Sequence, residues 1–358
     1  MEQPPNDEDA AMKALIARAA EGAPLREAEA RQAFDIMMAG HATPAQMGGL
    51  LMALRVRGES VAEITGAARA MREHMADLPR PAGDPAAFDD AIDTCGTGGD
   101  GAGTYNVSTA AAFVVAGCGV PVAKHGNRAM SSKSGAADVL AALGVNVEAE
   151  PAQVSRCLAA AGTCFLMAPR YHGAMRHVGP TRRELGTRTI FNILGPLCNP
   201  ARVRRQVIGV FAPEWVTPLA EVLKNLGHTR AWVVHGADGL DELSTTGPST
   251  VAELRDGTVR TFEVTPGDAG LPVTTLDRLK GGDAEENAAA IRALLDGESG
   301  PLRDIVVLAA AAALVVADRA PDLRAGAEQA AESLDSGRAR AALTRMAEIS
   351  HAPAPTTA

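Results

Sequence analysis

Asp93 to Gly103 reads DTCGTGGDGAG and holds a G-x-G-x-x-G at Gly96, Gly98 and Gly101. Such spacing lets backbone N–H groups approach a phosphate closely. The flanks are those the turn needs: DDAIDTC reads as a short buried strand, NVSTAAAFVVAGCG as a helix opening near Asn106 and ending at Gly117 or Gly119, and VPVAKH as a second strand. A dinucleotide site places an acidic residue about 20 positions further on, to take the ribose hydroxyls. None lies between Asp100 and Asp138, and the second strand ends instead in KHGNR, with Lys124, His125 and Arg128. A cationic strand end favours another phosphate ligand over a nicotinamide cofactor.

The neighbouring residues extend that chemistry. Asn106, Ser108 and Thr109 open the helix after the glycine turn, where the helix dipole favours an anion; an ordinary glycine turn with an N-capped helix is the bland alternative. KHGNRAMSSKSGAADVL adds Lys124, Arg128 and Lys133, with Ser131, Ser132 and Ser134 just ahead of another helix. It reads as a second anion site, or as a solvated basic loop. Two adjacent anion sites fit a ligand with two phosphate groups. Asp241 and Glu242 follow the strand AWVV and offer hard oxygens suited to Mg²⁺, although acidic pairs are common on surfaces. Between Arg170 and Arg205 lie eight arginines and one acidic residue, Glu184. They suit a carboxylate or phosphate, structural pairing with acids of the N-terminal part, or a nucleic-acid patch. His172 and His177 are spaced wrongly for zinc and lack a matching Cys or Glu.

The elements that must hold these groups are well punctuated. Residues 1–82 read as helical, with Thr43 and Pro44 starting PAQMGGLLMALRVR, Gly58 ending it, and Ser60 with Glu63 forming a capping box. LPRPAGDPAAF is a linker. Residues 89–350 alternate strand and helix, which implies a mostly parallel sheet covered by helices. Asp256-Gly257 marks a hairpin, and Ile305 to Ala317 is a core helix too short to span a bilayer. Ligands in such sheets bind beyond the strands' carboxyl ends, where all three motifs fall. A net charge of −9 and a pI near 5.4 argue against a surface built for nucleic acid. Five cysteines without a C-x-x-C pair read as reduced thiols, and the N-terminus has no basic-then-apolar signal, so the expected compartment is the cytoplasm.

DTCGTGGDGAGTYNVSTAAAFVVAGCGVPVAKHGNRAMSSKSGAADVLAALG, HGAMRHVGPTRRELGTRTIFNILGPLCNPA and GLDELS together resemble the anthranilate phosphoribosyltransferases of tryptophan biosynthesis, from about residue 10 to residue 345. The resemblance implies a small N-terminal helical domain and a large α/β domain with a mostly parallel central sheet, of the nucleoside phosphorylase and phosphoribosyltransferase type. Residues 181–200 would pack against the helical domain, and that domain would join a homodimer. The implied reaction moves the 5-phosphoribosyl group of phosphoribosyl pyrophosphate (PRPP) to the amine of anthranilate, releasing pyrophosphate. Carried over by motif, PRPP would meet Gly96, Gly99, Asp100, Thr104, Asn106, Val107, Ser108 and Thr109, then Lys124, His125, Gly126, Asn127, Arg128, Ala129, Met130, Ser131, Ser132 and Ala136. Anthranilate would meet Gly96, Asn127 and Arg182, and Mg²⁺ would be held by Ser108, Asp241 and Glu242, with Lys124 assisting electrostatically. Ala136 and Ala309 replace the family's usual Ser and Asn. No membrane or nucleic-acid partner is implied. The competing readings are a pyrimidine nucleoside phosphorylase, against which KHGNR and the Arg182 segment stand, and a nucleic-acid-binding relative without activity.

Overall fold

A computed structural model describes residues 7–80, 86–129 and 133–353. The helical domain holds α1 (Asp7–Ala20), α2 (Glu27–Met38), α3 (Pro44–Arg57) and α4 (Val61–Glu73). Its expected caps form. Thr43 Oγ1 accepts the Gln46 N–H at 3.2 Å while the Gln46 side chain takes the Thr43 N–H at 2.9 Å, and Gly58 closes α3 at φ 90°. Glu63 accepts the Ser60 N–H at 2.8 Å, but the capping box understates it. The same fully buried carboxylate pairs with Arg57 and takes the Leu25 N–H at 2.8 Å, tying three segments together.

Among the described residues, seven strands make one sheet in the order β3-β2-β1-β4-β5-β6-β7. β1 (Ile92–Gly96), β2 (Val122–Gly126), β3 (Thr163–Met167), β4 (Arg205–Gly209) and β5 (Arg230–Gly236) run parallel. β6 (Ser249–Arg255) and β7 (Thr258–Val264) add an antiparallel hairpin. Its turn residues Asp256 and Gly257 have φ 51° and 74°, the positive values that a two-residue hairpin turn matched to strand twist requires.

Helices cover both faces. α5 (Ala86–Asp89) precedes β1, α6 (Val107–Gly117) follows it, and α7 (Ala136–Ala142) and α8 (Pro151–Ala161) follow β2. After β3 come α9 (Ala168–Tyr171), α10 (Met175–Leu185) and α11 (Phe191–Leu197), and α12 (Val216–Asn225) joins β4 to β5. The chain continues through α13 (Ala284–Leu295), α14 (Pro301–Val316), α15 (Leu323–Asp335) and α16 (Arg338–His351). The apolar run expected to be a core helix is α14, buried against α6 and the sheet. No helix among the described residues is long and apolar enough to cross a membrane. Ala309 lies in this core and presents no polar group there.

Two apolar clusters result. One lies between the sheet and α6, α14, α15 and α16. The other runs without a break from the helical domain through α10, α11 and α12 to the opposite sheet face, with the Phe34 and Phe191 rings 5.5 Å apart.

Candidate active site

β1 and β4 are parallel neighbours, but the chain leaves β1 toward β2 and leaves β4 toward β5. That reversal opens a crevice at their carboxyl ends, where open α/β sheets bind ligands. The loop after β1 lines it. Gly98, Gly99, Gly101 and Gly103 have φ 67°, 79°, 74° and 64°, a left-handed run that side chains would strain. The loop after β5 folds across the end of β4 to meet it. A Cβ on Gly209 would overlap the Asp241 carbonyl, and one on Gly96 would stand 2.5 Å from Asp241 Oδ2. Glycine at both positions is what lets the acidic pair reach the site. Asp241 Oδ2 accepts the Gly98 N–H at 2.7 Å, and Glu242 Oε1 accepts the Ser108 N–H at 3.2 Å at the start of α6.

Lys124 belongs to β2 itself, so it is buried where the sequence suggested a strand end. Its Nζ donates to the Thr94 carbonyl at 2.5 Å and to Ser108 Oγ at 3.2 Å. Beneath it, fully buried Asp93 accepts from the His125 N–H at 3.1 Å, Asn199 Nδ2 at 2.8 Å and Gln206 Nε2 at 3.2 Å. Burial pushes the Asp93 carboxyl up, against the pull of Lys124 and these bonds. His125 and His172 face each other with Nε2 atoms 3.3 Å apart. Burial lowers them to about 3 and about 4, so both are neutral near pH 7. The sequence had set His172 aside; only the fold reveals its partner.

The remaining sequence-selected residues divide. Asp100 Oδ1 accepts the Ala102 N–H at 3.1 Å and lies within electrostatic reach of Asp241. Thr104 bridges to Lys280, Val107 and Thr109 are buried in the first turn of α6, and Asn127 Oδ1 takes the Arg128 N–H at 2.8 Å. Arg128 pairs with Asp138 at 3.3 Å and Glu148 at 3.0 Å, so two carboxylates already offset its charge. Asp138 also takes the Ala129 and Gly135 N–H groups, each at 3.0 Å. Gly126 and Ala136 adjoin, and Ala136 can contribute only its backbone. Met130, Ser131 and Ser132 lie outside the described residues. Arg202 pairs with Asp77 of the N-terminal part, the bland structural use expected of the arginine segment, whereas Arg170 and Arg205 pair with Glu150 and Asp90 of the α/β unit itself. Arg182 is different. Its guanidinium stands 5.1 Å from the centre of the Phe191 ring, burial lowers its pKa, and it joins no ion pair among the described residues.

The N-capped reading of Asn106 does not hold, because its side chain makes no cap bond. Its Oδ1 accepts from Asn287 Nδ2 at 2.9 Å, and the same amide donates to Ser134 Oγ at 2.9 Å while Asn287 Oδ1 takes the Gly282 N–H at 2.8 Å. Asn287 thus ties the two anion-site segments together. Its only sequence signal is a lone amide among the alanines of α13.

Asp241 and Glu242 keep partial solvent contact at the cleft floor while protein surrounds them. Burial, then each other's charge, drives Asp241 well above the usual carboxylate range; burial lifts Glu242 to about 7 despite Lys124. Two such carboxylates, each holding one backbone N–H, fit a divalent cation that takes hard oxygens. Ser108 fits less readily, since its oxygen already accepts from Lys124. Among the described residues no group of three or more His, Cys, Asp or Glu side chains forms a ready-made metal centre.

Residues 13–75 match the helical bundle domain of a glycosyl transferase family, and residues 88–340 match its a/b domain. Fold and cleft therefore define a two-domain glycosyl transferase. The chain is 63% identical over 343 residues to the anthranilate phosphoribosyltransferase of Rhodospirillum rubrum, covering 96% of this chain and 97% of that one. Identity to the Azospirillum brasilense enzyme of that name is 62% over 340 residues, covering 95% and 93%. The crystal structure of anthranilate phosphoribosyltransferase from Thermus thermophilus superposes with a TM-score of 0.88 at 47% identity, covering 94% of this chain and 99% of that one. The Saccharomyces cerevisiae enzyme in complex with PRPP and Mg superposes at 0.85 with 27% identity, covering 96% and 98%. The chain belongs to the anthranilate phosphoribosyltransferase family.

Proposed function

We infer that this enzyme transfers the 5-phosphoribosyl group of PRPP to the amine of anthranilate, giving N-(5-phosphoribosyl)anthranilate and pyrophosphate in tryptophan biosynthesis. The observation that carries the reading is the crossing of the β5 loop over β4, which sets Asp241 and Glu242 against the glycine loop and the start of α6. PRPP occupies this crevice, against the glycine loop, the first turn of α6 and residues of the segment from Lys124 to Ala136. Anthranilate lies by Gly96 and Asn127, its carboxylate toward Arg182. Asp241 and Glu242, with Ser108 as the third candidate, would hold magnesium, which would supply positive charge to offset that of the diphosphate.

Anthranilate's amine is neutral at physiological pH, so nitrogen attacks ribose C1 without a strong base. The C1–O bond breaks, its electron pair leaves with pyrophosphate, and the amine proton passes to water. Lys124 and the N–H groups of the glycine loop stabilise the departing oxygens, and the cleft holds amine and C1 in line. No nucleophilic side chain is needed.

The α/β unit over 89–350 and the helical unit over 1–82 form the working enzyme, as a homodimer through the helical unit, in the cytoplasm. The purified protein with Mg²⁺, PRPP and anthranilate should consume anthranilate fluorescence and release pyrophosphate. Thymine release from thymidine and phosphate with constant anthranilate fluorescence would move the assignment to a nucleoside phosphorylase.

A further inference from the structure

Arg188, between α10 and α11, has no part in the assignment above. Its Nη2 donates to the Gly99 carbonyl, and its guanidinium lies 4.2 Å from the centre of the Phe211 ring. Phe211 is tied to the same loop, because its N–H donates to Thr97 Oγ1 at 3.0 Å while the Thr97 N–H donates to the Gly209 carbonyl at 2.9 Å. The Arg188 carbonyl in turn accepts from Nη1 of Arg55 in α3. Arg188 joins no ion pair among the described residues. A cation stacked on a ring and bonded to a carbonyl, with no carboxylate to satisfy, acts here on backbone geometry.

That geometry matters because of the loop's composition. Gly98 and Gly99 both sit at positive φ, and glycine loses more conformational freedom on ordering than any other residue. An unpinned loop would have to be ordered when an anion binds, at the expense of affinity. Thr97 fixes the side of the loop next to β4. Arg188 fixes the Gly99 carbonyl, and since the peptide is planar and trans, it sets the direction of the Asp100 N–H as well.

We propose that Arg188 is a positioning residue for the diphosphate of the donor substrate: planted on Phe211 and steadied by Arg55 of the helical domain, it holds the glycine loop in its anion-accepting form. This rests on the phosphoribosyl-transfer reading for the identity of the donor. Arg55 makes the arrangement a mechanical link, so a change in how α3 sits is felt at the phosphate loop.

The test compares the full-length protein with R188A, R188K and R55A. Each substrate is varied in steady-state kinetics with Mg²⁺, pyrophosphate with Mg²⁺ is titrated calorimetrically, and thermal melts are recorded. Loss of one hydrogen bond from an ionised donor predicts about a ten-fold rise in donor KM and in pyrophosphate Kd for R188A. The anthranilate KM should stay within about two-fold and Tm should barely move, because the side chain is exposed. R188K should recover part of the loss, since an ammonium can reach the carbonyl but lacks the planar stack. R55A should show a smaller effect in the same direction. An unchanged donor KM and pyrophosphate Kd in R188A, or an equal rise in both substrate KM values, overturns the proposal. If R188A does not fold, R188K and R55A decide on the same two readouts. If the parent protein turns over nothing, the transferase reading fails, and the pyrophosphate titration still decides whether Arg188 positions the loop.

Discussion

Asn287→Ala removes a single buried amide from the junction of two loops. The side chain is 1% exposed and makes three hydrogen bonds, donating to Asn106 and Ser134 and accepting from Gly282. At about 1 kcal/mol net for each bond, plus a little for the space left behind, the stability loss comes to about 3–4 kcal/mol. Urea unfolding followed by circular dichroism would register this as a lower midpoint at unchanged slope. Asn106 would also lose its anchor at the head of α6, so the PRPP KM should rise while the anthranilate KM changes less. Asn287→Asp is the sharper control. It fills the same space and keeps the bond from Gly282, yet sets a carboxylate oxygen against Asn106 Oδ1 and removes the N–H that Ser134 Oγ accepts. It should cost at least as much as alanine at pH 7. A loss under about 1 kcal/mol in both variants, far below the three-bond sum, with normal kinetics would refute the reasoning.

Three further outcomes follow from the same geometry. Asp241→Asn and Glu242→Gln should each lose most Mg²⁺-dependent turnover while melting no lower than the parent, because each replaces a carboxyl whose charge the protein surroundings disfavour with a neutral amide of the same shape; near-normal activity in both would place the metal elsewhere. Arg182→Ala should raise the anthranilate KM by about ten-fold or more, from loss of a charge-assisted pair, with the PRPP KM nearly unchanged; an unaltered anthranilate KM and kcat would remove Arg182 from the site. His228, lowered to about 3 first by burial and then by Arg72, is neutral in the folded protein. The unfolded chain protonates it below about 6.5, so its contribution is present above that pH and is lost as pH falls toward the folded value. His228→Leu should therefore lose about 2 kcal/mol less stability than the parent between about pH 7 and pH 5, read by urea unfolding; parallel pH profiles would show that the ring is charged in the fold.

The caps of α3 and α4, the individual strands and the hairpin were legible because each depends on residues within a few positions of one another. Thr43 with Gln46 and Asp256 with Gly257 are local chemistry. The glycine loop and the acidic pair could be named as candidates for the same reason. Their contact could not, since it depends on β5 lying beyond β4 and on Gly209 leaving room for the Asp241 backbone. Arg128 and Arg182 looked alike in sequence. Only packing showed one neutralised by Asp138 and Glu148 and the other left over an aromatic ring. The two histidines lie in different segments, and their pairing belongs to the fold alone.

The apolar cluster that joins the helical domain to α10, α11, α12 and one sheet face bears on how the chain is made. The first 73 residues complete α4, but the side chains that cover their inner surface, among them Phe191, Leu194 and Leu219, are translated more than a hundred residues later. At roughly 5–20 residues per second, α1–α4 wait about 6–30 s with that surface uncovered. During synthesis they are a natural client for a chaperone that shields apolar helices, and a fragment ending near residue 80 should associate with itself when it is expressed alone.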